Sequence, residues 1–383
     1  MRKICFVTTH RSDFSRMEPV VRASRARADV DVTLVAAGSH LLPDSGETVN
    51  DICSLGHTID AKAYTVVEGE TLATMSKSIG LGCIEFSSIF ERLNPDVVVL
   101  HGDRFDLFPA AIAAAISNIR IAHIQGGEVT GTIDESLRHC ITKLSHLHFV
   151  SNEDAAMRVK KLGEDPAAVF NVGCPSVDAI KSIVFPARDE FARRFCSTYG
   201  GCVNPRDPYL ILIQHPVTTE FDQASHQMEQ TIHAIARAGI PTILIYPNID
   251  AGSKQMASML RKMSASIGFG RIDMFKHISS HDFLVLLKYA SCIVGNSSSG
   301  IREAGYFGTP CVNIGSRQSG RLRGANVKDV THDVDQIAQA ILEQVQHAAY
   351  PVEELYGHGH TAQTMVEILA QHPLPPIQKS ITF

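Results

Sequence analysis

With 383 residues, 44% of them hydrophobic and 20% charged, and a net charge of -5, the chain has the composition of a soluble globular protein long enough for two domains. Mild acidity without a long Lys/Arg cluster excludes nucleic acid as the main partner. The short apolar stretch after Lys3 fits neither a signal peptide nor a spanning helix, so a cytoplasmic protein without a membrane partner is expected, and nine cysteines lacking a C-x-x-C pair suit buried free thiols in a reducing compartment.

Short apolar runs alternate with amphipathic helical stretches, the pattern of parallel sheets covered by crossover helices, so the predicted class is α/β with two Rossmann-like halves. Strands are predicted at Lys3–Thr8, Val30–Ala37, Val97–His101, Ile119–Ile124, His148–Val150 and Val169–Val172. A second set falls at Tyr209–Ile213, Thr242–Tyr246, Ile272–Phe275, Cys292–Gly295 and Pro310–Ile314. Helical spacing marks Ala110–Ser117, Glu135–Ser145, Gln227–Ala238 and Asp333–Ala349. Gly, Pro, Asn and Asp concentrate in Ser197–Pro208, which puts a domain boundary at or shortly before that segment. A last helix, about Thr361–Gln371, follows a GHGH turn.

In open α/β sheets ligands sit beyond the carboxyl ends of the strands, so the residues after each apolar run are the candidates. Behind the first strand, Arg11 at a helix start suits a phosphate, while the neighbouring Ser12 and Asp13 equally suit a helix cap. The strand Val97–His101 runs into Asp103, Arg104 and Asp106, a compact charged cluster for which structural ion pairing is the alternative. The next exit reads Gln125–Gly126–Gly127–Glu128 and continues to Asp134 and Glu135. Its paired glycines permit close approach to a ligand, and Glu128 and Asp134 bring carboxylates toward Asp103, unless Asp134 or Glu135 merely caps the following helix. Arg138 and His139 follow in that helix, where His139 alone reads better as packing against the sheet.

In the second half His215 stands at a strand exit, where a histidine serves as acid, base, phosphate donor or plain structure. In Asn248–Lys254, Asp250 and Ser253 equally form a turn and helix cap. The strongest phosphate signal is Gly295–Gly300 (GNSSSG), between a strand and a helix beginning near Ile301, with Arg302 as a further cation and Glu303 as a carboxylate for ribose. Walker A, G-x-G-x-x-G and H-E-x-x-H are absent, and a required metal is not expected.

Taken in order, HRSDFS, HGDRFD, IRIAHIQGGEVTGTIDESLRHCITKLSHLH, QHPVTT, YPNIDAGSK, GNSSSGIREAGYFGTP and NIGSRQSGR resemble the hydrolysing UDP-N-acetylglucosamine 2-epimerases over nearly the whole chain. That resemblance implies two Rossmann-like domains, 1–178 and 179–360, in a GT-B-like arrangement with the active site in the interdomain cleft and residues 361–383 packing back onto the first domain. It implies a cytoplasmic homodimer or homotetramer acting on a UDP-linked N-acetylhexosamine with no cofactor and no metal. Carried over by position, Arg11, His215, Ser297, Ser298 and Arg317 hold phosphates and Glu303 holds the ribose. Asp103 and Asp134 match catalytic acids, and His277 lies where a nucleotide-site histidine is expected. Ser15, Arg104, Asn248, Ser253, Lys254 and Arg302 complete the candidate binding set, and His215 is also a catalytic candidate.

One position departs from the pattern. Animal-type members read HIEGGE with the first glutamate catalytically important, whereas this chain has Gln125 followed by Glu128, and an amide cannot exchange a proton as a carboxylate does. The implied reaction is elimination to a 2-acetamidoglycal and hydration, giving N-acetylmannosamine and UDP. The alternatives are a UDP-linked 2,4-diacetamido-2,4,6-trideoxyglucose or a GDP-linked sugar as substrate, a GT-B glycosyltransferase, and a non-catalytic nucleotide-sugar sensor.

Overall fold

The computed structural model describes residues 1–266 and 272–382. The chain divides into two compact units: Met1–Val129 with Ile133–Ser182 and Tyr356–Phe383, and Thr130–Thr132 with Ile183–Leu355.

Unit one is built on seven parallel strands, β1 (Arg2–Thr8), β2 (Val30–Ala37), β3 (Ala61–Ala63), β4 (Val97–His101), β5 (Arg120–Ile124), β6 (Leu147–Val150) and β7 (Val169–Asn171), in the order β3-β2-β1-β4-β5-β6-β7. Strand side chains alternate between faces, and the two faces of β1 feed different cores. Ile4 and Phe6 pack with Val97, Val99, Met17, Val20 and Val21 on one side, joined by Met365, Val366 and Leu369 of the helix Thr361–Gln371. Cys5 and Val7 pack on the other with Val98, Leu100, Phe86 and Phe90. Because both faces are covered, β4 is apolar until its final histidine and buried along its whole length. Each such fully buried side chain contributes roughly 1.5–3 kcal/mol of transfer free energy.

Unit two repeats the plan with six parallel strands, β8 (Leu210–Ile213), β9 (Thr242–Ile245), β10 (Ile272–Phe275), β11 (Cys292–Gly295), β12 (Cys311–Ile314) and β13 (Val327–Val330), ordered β10-β9-β8-β11-β12-β13. Leu210 and Leu212 face a cluster with Ile232 and Ile235, while Ile211 and Ile213 face one with Phe191, Phe195 and Val285. The strand order reverses between β1 and β4 in unit one and between β8 and β11 in unit two, and these are the points at which such sheets bind ligands.

The passage between units falls at Ser182 and Ile183, shortly before the segment Ser197–Pro208, and the helix Arg188–Tyr199 already packs Phe191 and Phe195 into the core of unit two. Two sequence expectations need correction. Strands β3 and β13 add edges that no apolar run announced. All nine thiols are free, yet Cys53, Cys140 and Cys202 are exposed, and only Cys5, Cys174, Cys292 and Cys311 are fully buried. Among the described residues no helix is long and apolar enough to cross a membrane.

Beyond the helix Thr361–Gln371 the chain is strapped along the entry ends of β5, β6 and β7. Arg120 Nε donates to the Pro375 carbonyl at 2.8 Å, His146 Nε2 meets the Ile377 carbonyl at 3.0 Å, and the Thr382 N–H donates to Gly163 at 2.9 Å. Lys379 reaches the buried Glu164, which also accepts from Lys143 at 2.8 Å and meets His148 at 3.2 Å. Burial opposes ionisation of Glu164, but its hydrogen bonds with His148, Lys143 and Lys379 outweigh it and bring its pKa down to about 2.

Candidate functional site

At the exit of β1 the chain caps its own next helix. His10 is the N-cap of the helix Arg11–Arg25, and Asp13 folds back to accept from the Thr9 N–H at 2.9 Å and the Thr9 hydroxyl at 3.1 Å, with His10 Nδ1 at 3.0 Å. Thr8 donates to the same carboxylate and meets His40 Nε2 at 2.8 Å, and His40 Nδ1 meets Thr48 at 2.7 Å. Burial disfavours the Asp13 charge, yet the His10 charge and the His10 and His40 hydrogen bonds hold its carboxyl well below the usual range. Asp13 is therefore structural, and His40, which no apolar or motif pattern singled out, braces it. Arg11 is the first helical residue and half-buried; burial lowers its pKa, with the Asp51 charge working against that. Ser15, one turn on, is half-buried and donates to the Ser12 carbonyl at 3.2 Å.

The exits of β4 and β5 are pinned together by His123, whose Nε2 donates to the Gly102 carbonyl at 2.7 Å while Nδ1 meets the Thr142 hydroxyl at 3.0 Å. Burial pushes this imidazole down to about 4, only partly offset by the Gly102 carbonyl, so it is neutral at pH 7. Arg104 is buried, with Nε 3.4 Å from Asp106 Oδ1. Asp103 instead pairs with Arg138, whose other terminal nitrogen lies 3.8 Å from Glu128 Oε2. Two expected carboxylates thus flank one buried guanidinium, which offsets the cost of taking them out of water. Asp134 is half-buried at the first position of the helix Asp134–Leu144, one turn before Arg138, and the N-cap is Ile133 rather than either acidic residue. His139 pairs with Glu135 at 3.0 Å. Arg138 was noted in the sequence only as a neighbour, although a basic residue four places after Asp134 was a usable signal.

Gln125 adopts φ +67°, the left-handed region that a residue with a side chain enters only at a cost of roughly 1–3 kcal/mol. Its N–H donates to the Phe149 carbonyl at 2.9 Å, and its amide donates to Cys174 Sγ at 3.0 Å, which in turn meets Ser176 Oγ at 3.1 Å. The glycine pair that follows serves internal packing: a Cβ on Gly126 would stand 2.8 Å from Thr142 Oγ1, and one on Gly127 2.3 Å from the Ala155 carbonyl. Close approach to a ligand was the expectation; the close approach found is to Thr142 and the helix Glu153–Lys161.

In unit two the exits of β8 and β11 are clasped by Asn296. Its Oδ1 accepts from the His215 N–H at 2.7 Å and its Nδ2 donates to the His215 carbonyl at 2.8 Å. The Asn296 carbonyl accepts from Arg317 at 3.2 Å and Gln318 at 2.8 Å, which brings the expected Arg317 to the turn that carries Ser297 and Ser298. The His215 ring receives the Asn248 N–H on Nδ1 at 3.2 Å, so the neutral ring carries its proton on Nε2. Neither Asn296 nor Gln318 was among the candidates, because their work is backbone clasping that no motif spells out.

After β11 the helix starts later than expected. A single 3₁₀ turn spans Ser298–Gly300, with Ser297 Oγ accepting from the Ser299 N–H at 3.3 Å, and the α-helix covers only Glu303–Phe307 with Arg302 as N-cap. The half-buried Ser297 and Ser298 sit on the turn, whereas Arg302 and Glu303 are buried. Ser253 opens the helix Ser253–Ser266 from a buried position and its N–H donates to the Asp250 carbonyl at 3.0 Å, closing a turn, while Lys254 is exposed. Asn248 and His277 are half-buried beyond β9 and β10.

Residues 22–370 match the family described as UDP-N-acetylglucosamine 2-epimerase. The chain is 34% identical over 374 residues to the UDP-N,N'-diacetylbacillosamine 2-epimerase (hydrolyzing) of Legionella pneumophila, covering 98% of this chain and 97% of that relative. It is 31% identical over 371 residues to the UDP-N-acetylglucosamine 2-epimerase of Neisseria meningitidis, covering 97% and 94%. The solved structure of the Methanocaldococcus jannaschii UDP-GlcNAc 2-epimerase in complex with UDP-GlcNAc and UDP has a similar fold, with TM-score 0.81 and 18% identity over 96% of this chain and 99% of that one.

Proposed function

Since the chain belongs to the UDP-N-acetylglucosamine 2-epimerase family, we propose that it is a hydrolysing nucleotide-sugar 2-epimerase that releases UDP and a free manno-configured amino sugar. Carbon 2 of the sugar is not acidic, so its proton must leave as the bond from carbon 1 to the diphosphate oxygen breaks. The electron pair of the C2–H bond becomes the glycal double bond, and the diphosphate departs with the C1–O pair. Water then adds oxygen to carbon 1 and a proton to carbon 2 from the opposite face.

The observation that carries this reading is the Asp103–Arg138–Glu128 cluster at the exits of β4 and β5, with Asp134 one helical turn before Arg138. Groups that take and return protons are what such an elimination and hydration need. Arg11, His215 Nε2, Ser297, Ser298 and Arg317 supply donors for the leaving diphosphate, whose charge grows in the transition state. The similarity to relatives named for an epimerase reaction supports this over sugar transfer or ligand sensing.

For the sugar, we favour a substituent at carbon 4 that Gln125 recognises, in line with the Legionella relative's 2,4-diacetamido substrate. Its amide is donor and acceptor but no base, which leaves proton transfer to Glu128, Asp103 and Asp134. Proton NMR in deuterium oxide, with UDP-N-acetylglucosamine, UDP-N,N'-diacetylbacillosamine and their GDP-linked counterparts, tests both levels. A released sugar with deuterium at an inverted carbon 2 is expected; release with carbon 2 unchanged overturns the epimerase reading. An unchanged kcat/KM ratio between the two UDP-sugars in Gln125→Glu removes Gln125 from selectivity.

A further inference from the structure

At the exit of β5 the chain turns through Gln125 at φ +67°, a region that glycine would enter without strain. A side chain kept there at a cost points to a task for that side chain. Its backbone N–H is fixed on the Phe149 carbonyl at 2.9 Å, and Nε2 donates to Cys174 Sγ at 3.0 Å. Gln125 is 4% exposed and Cys174 0%, so this bond is made out of water.

The thiol is itself held within unit one. The Cys174 N–H donates to the Tyr356 carbonyl at 2.7 Å, and Ser176 Oγ meets Sγ at 3.1 Å. Just before it, the Val172 and Gly173 N–H groups donate to the Val150 carbonyl at 3.1 and 3.3 Å, and Thr361 Oγ1 donates to the Val172 carbonyl at 2.8 Å. A Cβ on Gly173 would stand 3.0 Å from Thr361 Oγ1 and 3.1 Å from Gly357 Cα, so the stretch is packed too closely to shift alone. The sulfur is thus a fixed acceptor.

A glutamine amide has a donor end and an acceptor end of nearly equal size and can present either. With Nε2 spent on Sγ, Gln125 presents Oε1. The N–H of a 4-acetamido group only donates: it fits Oε1, and it would face a flipped amide donor to donor. A 4-hydroxyl donates or accepts and fits both ends.

Given the reading above in which Gln125 meets the substituent at carbon 4, we infer that Cys174 is a positioning residue for substrate selection. Its sulfur fixes the orientation of the Gln125 amide, keeps the acceptor for the sugar and so favours an N–H at carbon 4 over a hydroxyl. Cys174 acts only through Gln125.

The test is the kcat/KM ratio of UDP-N,N'-diacetylbacillosamine to UDP-N-acetylglucosamine, with the ratio of their binding constants measured beside it by calorimetry. Cys174→Ala lets the amide turn, and the ratio falls at least threefold. Cys174→Ser keeps an acceptor there and stays within twofold of wild type. In a Gln125→Ala background the same alanine change leaves the ratio within twofold, since the partner it acts through is gone. A smaller fall in Cys174→Ala, a serine variant that falls as far as alanine, or a threefold fall without Gln125 each overturns the inference. Should the alanine variant not fold, Cys174→Val, which fills the space of the thiol without its acceptor, carries the same expectation. An unchanged ratio in Gln125→Glu removes the carbon 4 reading and the role of Cys174 with it; a changed ratio there beside an unchanged one in Cys174→Ala removes only the role of Cys174. A chain that turns over neither sugar, yet loses its binding preference in Cys174→Ala, sinks the epimerase reading and leaves that role standing.

Discussion

Asn296→Ala removes one side chain and tests how the two central exits of unit two are held. The amide makes two hydrogen bonds to the His215 backbone, at 2.7 Å to its N–H and 2.8 Å to its carbonyl, in a buried position. Alanine leaves a buried donor and a buried acceptor, each costing roughly 1–3 kcal/mol, so the loss is about 2–6 kcal/mol, the lower figure holding where water enters the vacated space. That is a large part of the ~5–15 kcal/mol by which domains are usually stable. At roughly 2–4 °C per kcal/mol for a unit of this size, the melting temperature drops by at least about 4 °C. Asn296→Asp separates the two bonds, since it keeps the acceptor for the His215 N–H but sets a carboxylate oxygen against the His215 carbonyl; it should be at least as unstable as alanine. Because Arg317 and Gln318 hold the same residue's carbonyl, UDP affinity measured by calorimetry well below the lowered melting temperature is also expected to fall. A melting temperature within 1 °C of wild type together with unchanged UDP affinity would refute the reasoning.

Arg11→Ala, and separately Ser297→Ala with Ser298→Ala, should each weaken UDP binding by about 1.5–3 kcal/mol per lost charge-assisted bond, and unchanged affinity by calorimetry removes the residues from the diphosphate site. Asp103→Asn and Asp134→Asn should cut sugar release on the order of 100- to 10,000-fold with folding and UDP binding largely kept; near-normal turnover in a folded variant takes that residue out of the mechanism. Glu128→Gln is expected to be at least as damaging as Asp134→Asn, and a fully active Glu128→Gln leaves proton transfer to the two aspartates. For His123 the folded pKa of about 4 lies below the ordinary 6.5, so the unfolded chain binds more protons between those values and stability is lost as pH falls from 6.5 to 4. The loss is about 3 kcal/mol at roughly 1.4 kcal/mol per unit, and urea unfolding of His123→Gln should show a pH dependence weaker by that order; identical profiles would count against a neutral buried imidazole.

Strands with an apolar run were legible because burial on both faces writes itself into consecutive residues: Val30–Ala37, Val97–His101, Ile272–Phe275 and Cys292–Gly295 match in full. The two strands that escaped are edge strands. β3 is three residues with a lysine at its centre, and β13 reads Val-Lys-Asp-Val with its valines packed on opposite faces and two charged residues between them, so neither carries a continuous signal. Turn-rich composition in Ser197–Pro208 marks a loop whether or not a unit ends there, and the passage between units at Ser182 and Ile183 falls shortly before it. At the site, charge clusters at strand exits pointed to Asp103 and Glu128, but their shared partner Arg138 comes from the next helix and needs three-dimensional placement to be recognised. Glycines advertise close approach without naming what approaches: at Gly126 and Gly127 the space a side chain would need is filled by Thr142 and Ala155.

The packing of Met365, Val366 and Leu369 against Ile4, Phe6 and Val97 also fixes an order in time. Unit one is assembled from sequence on both sides of unit two, so its strands through Asn171 leave the ribosome long before the helix that covers one face of their sheet. At ~5–20 residues per second the intervening stretch takes roughly 10–40 s to synthesise, an interval in which the second unit can close on itself while the first lacks the side chains of Met365, Val366 and Leu369 in its core. For a chain of this topology the half that is made first is the half that finishes last, and the newborn polypeptide carries an apolar face that the helix Arg11–Arg25 covers in part and the helix Thr361–Gln371 completes.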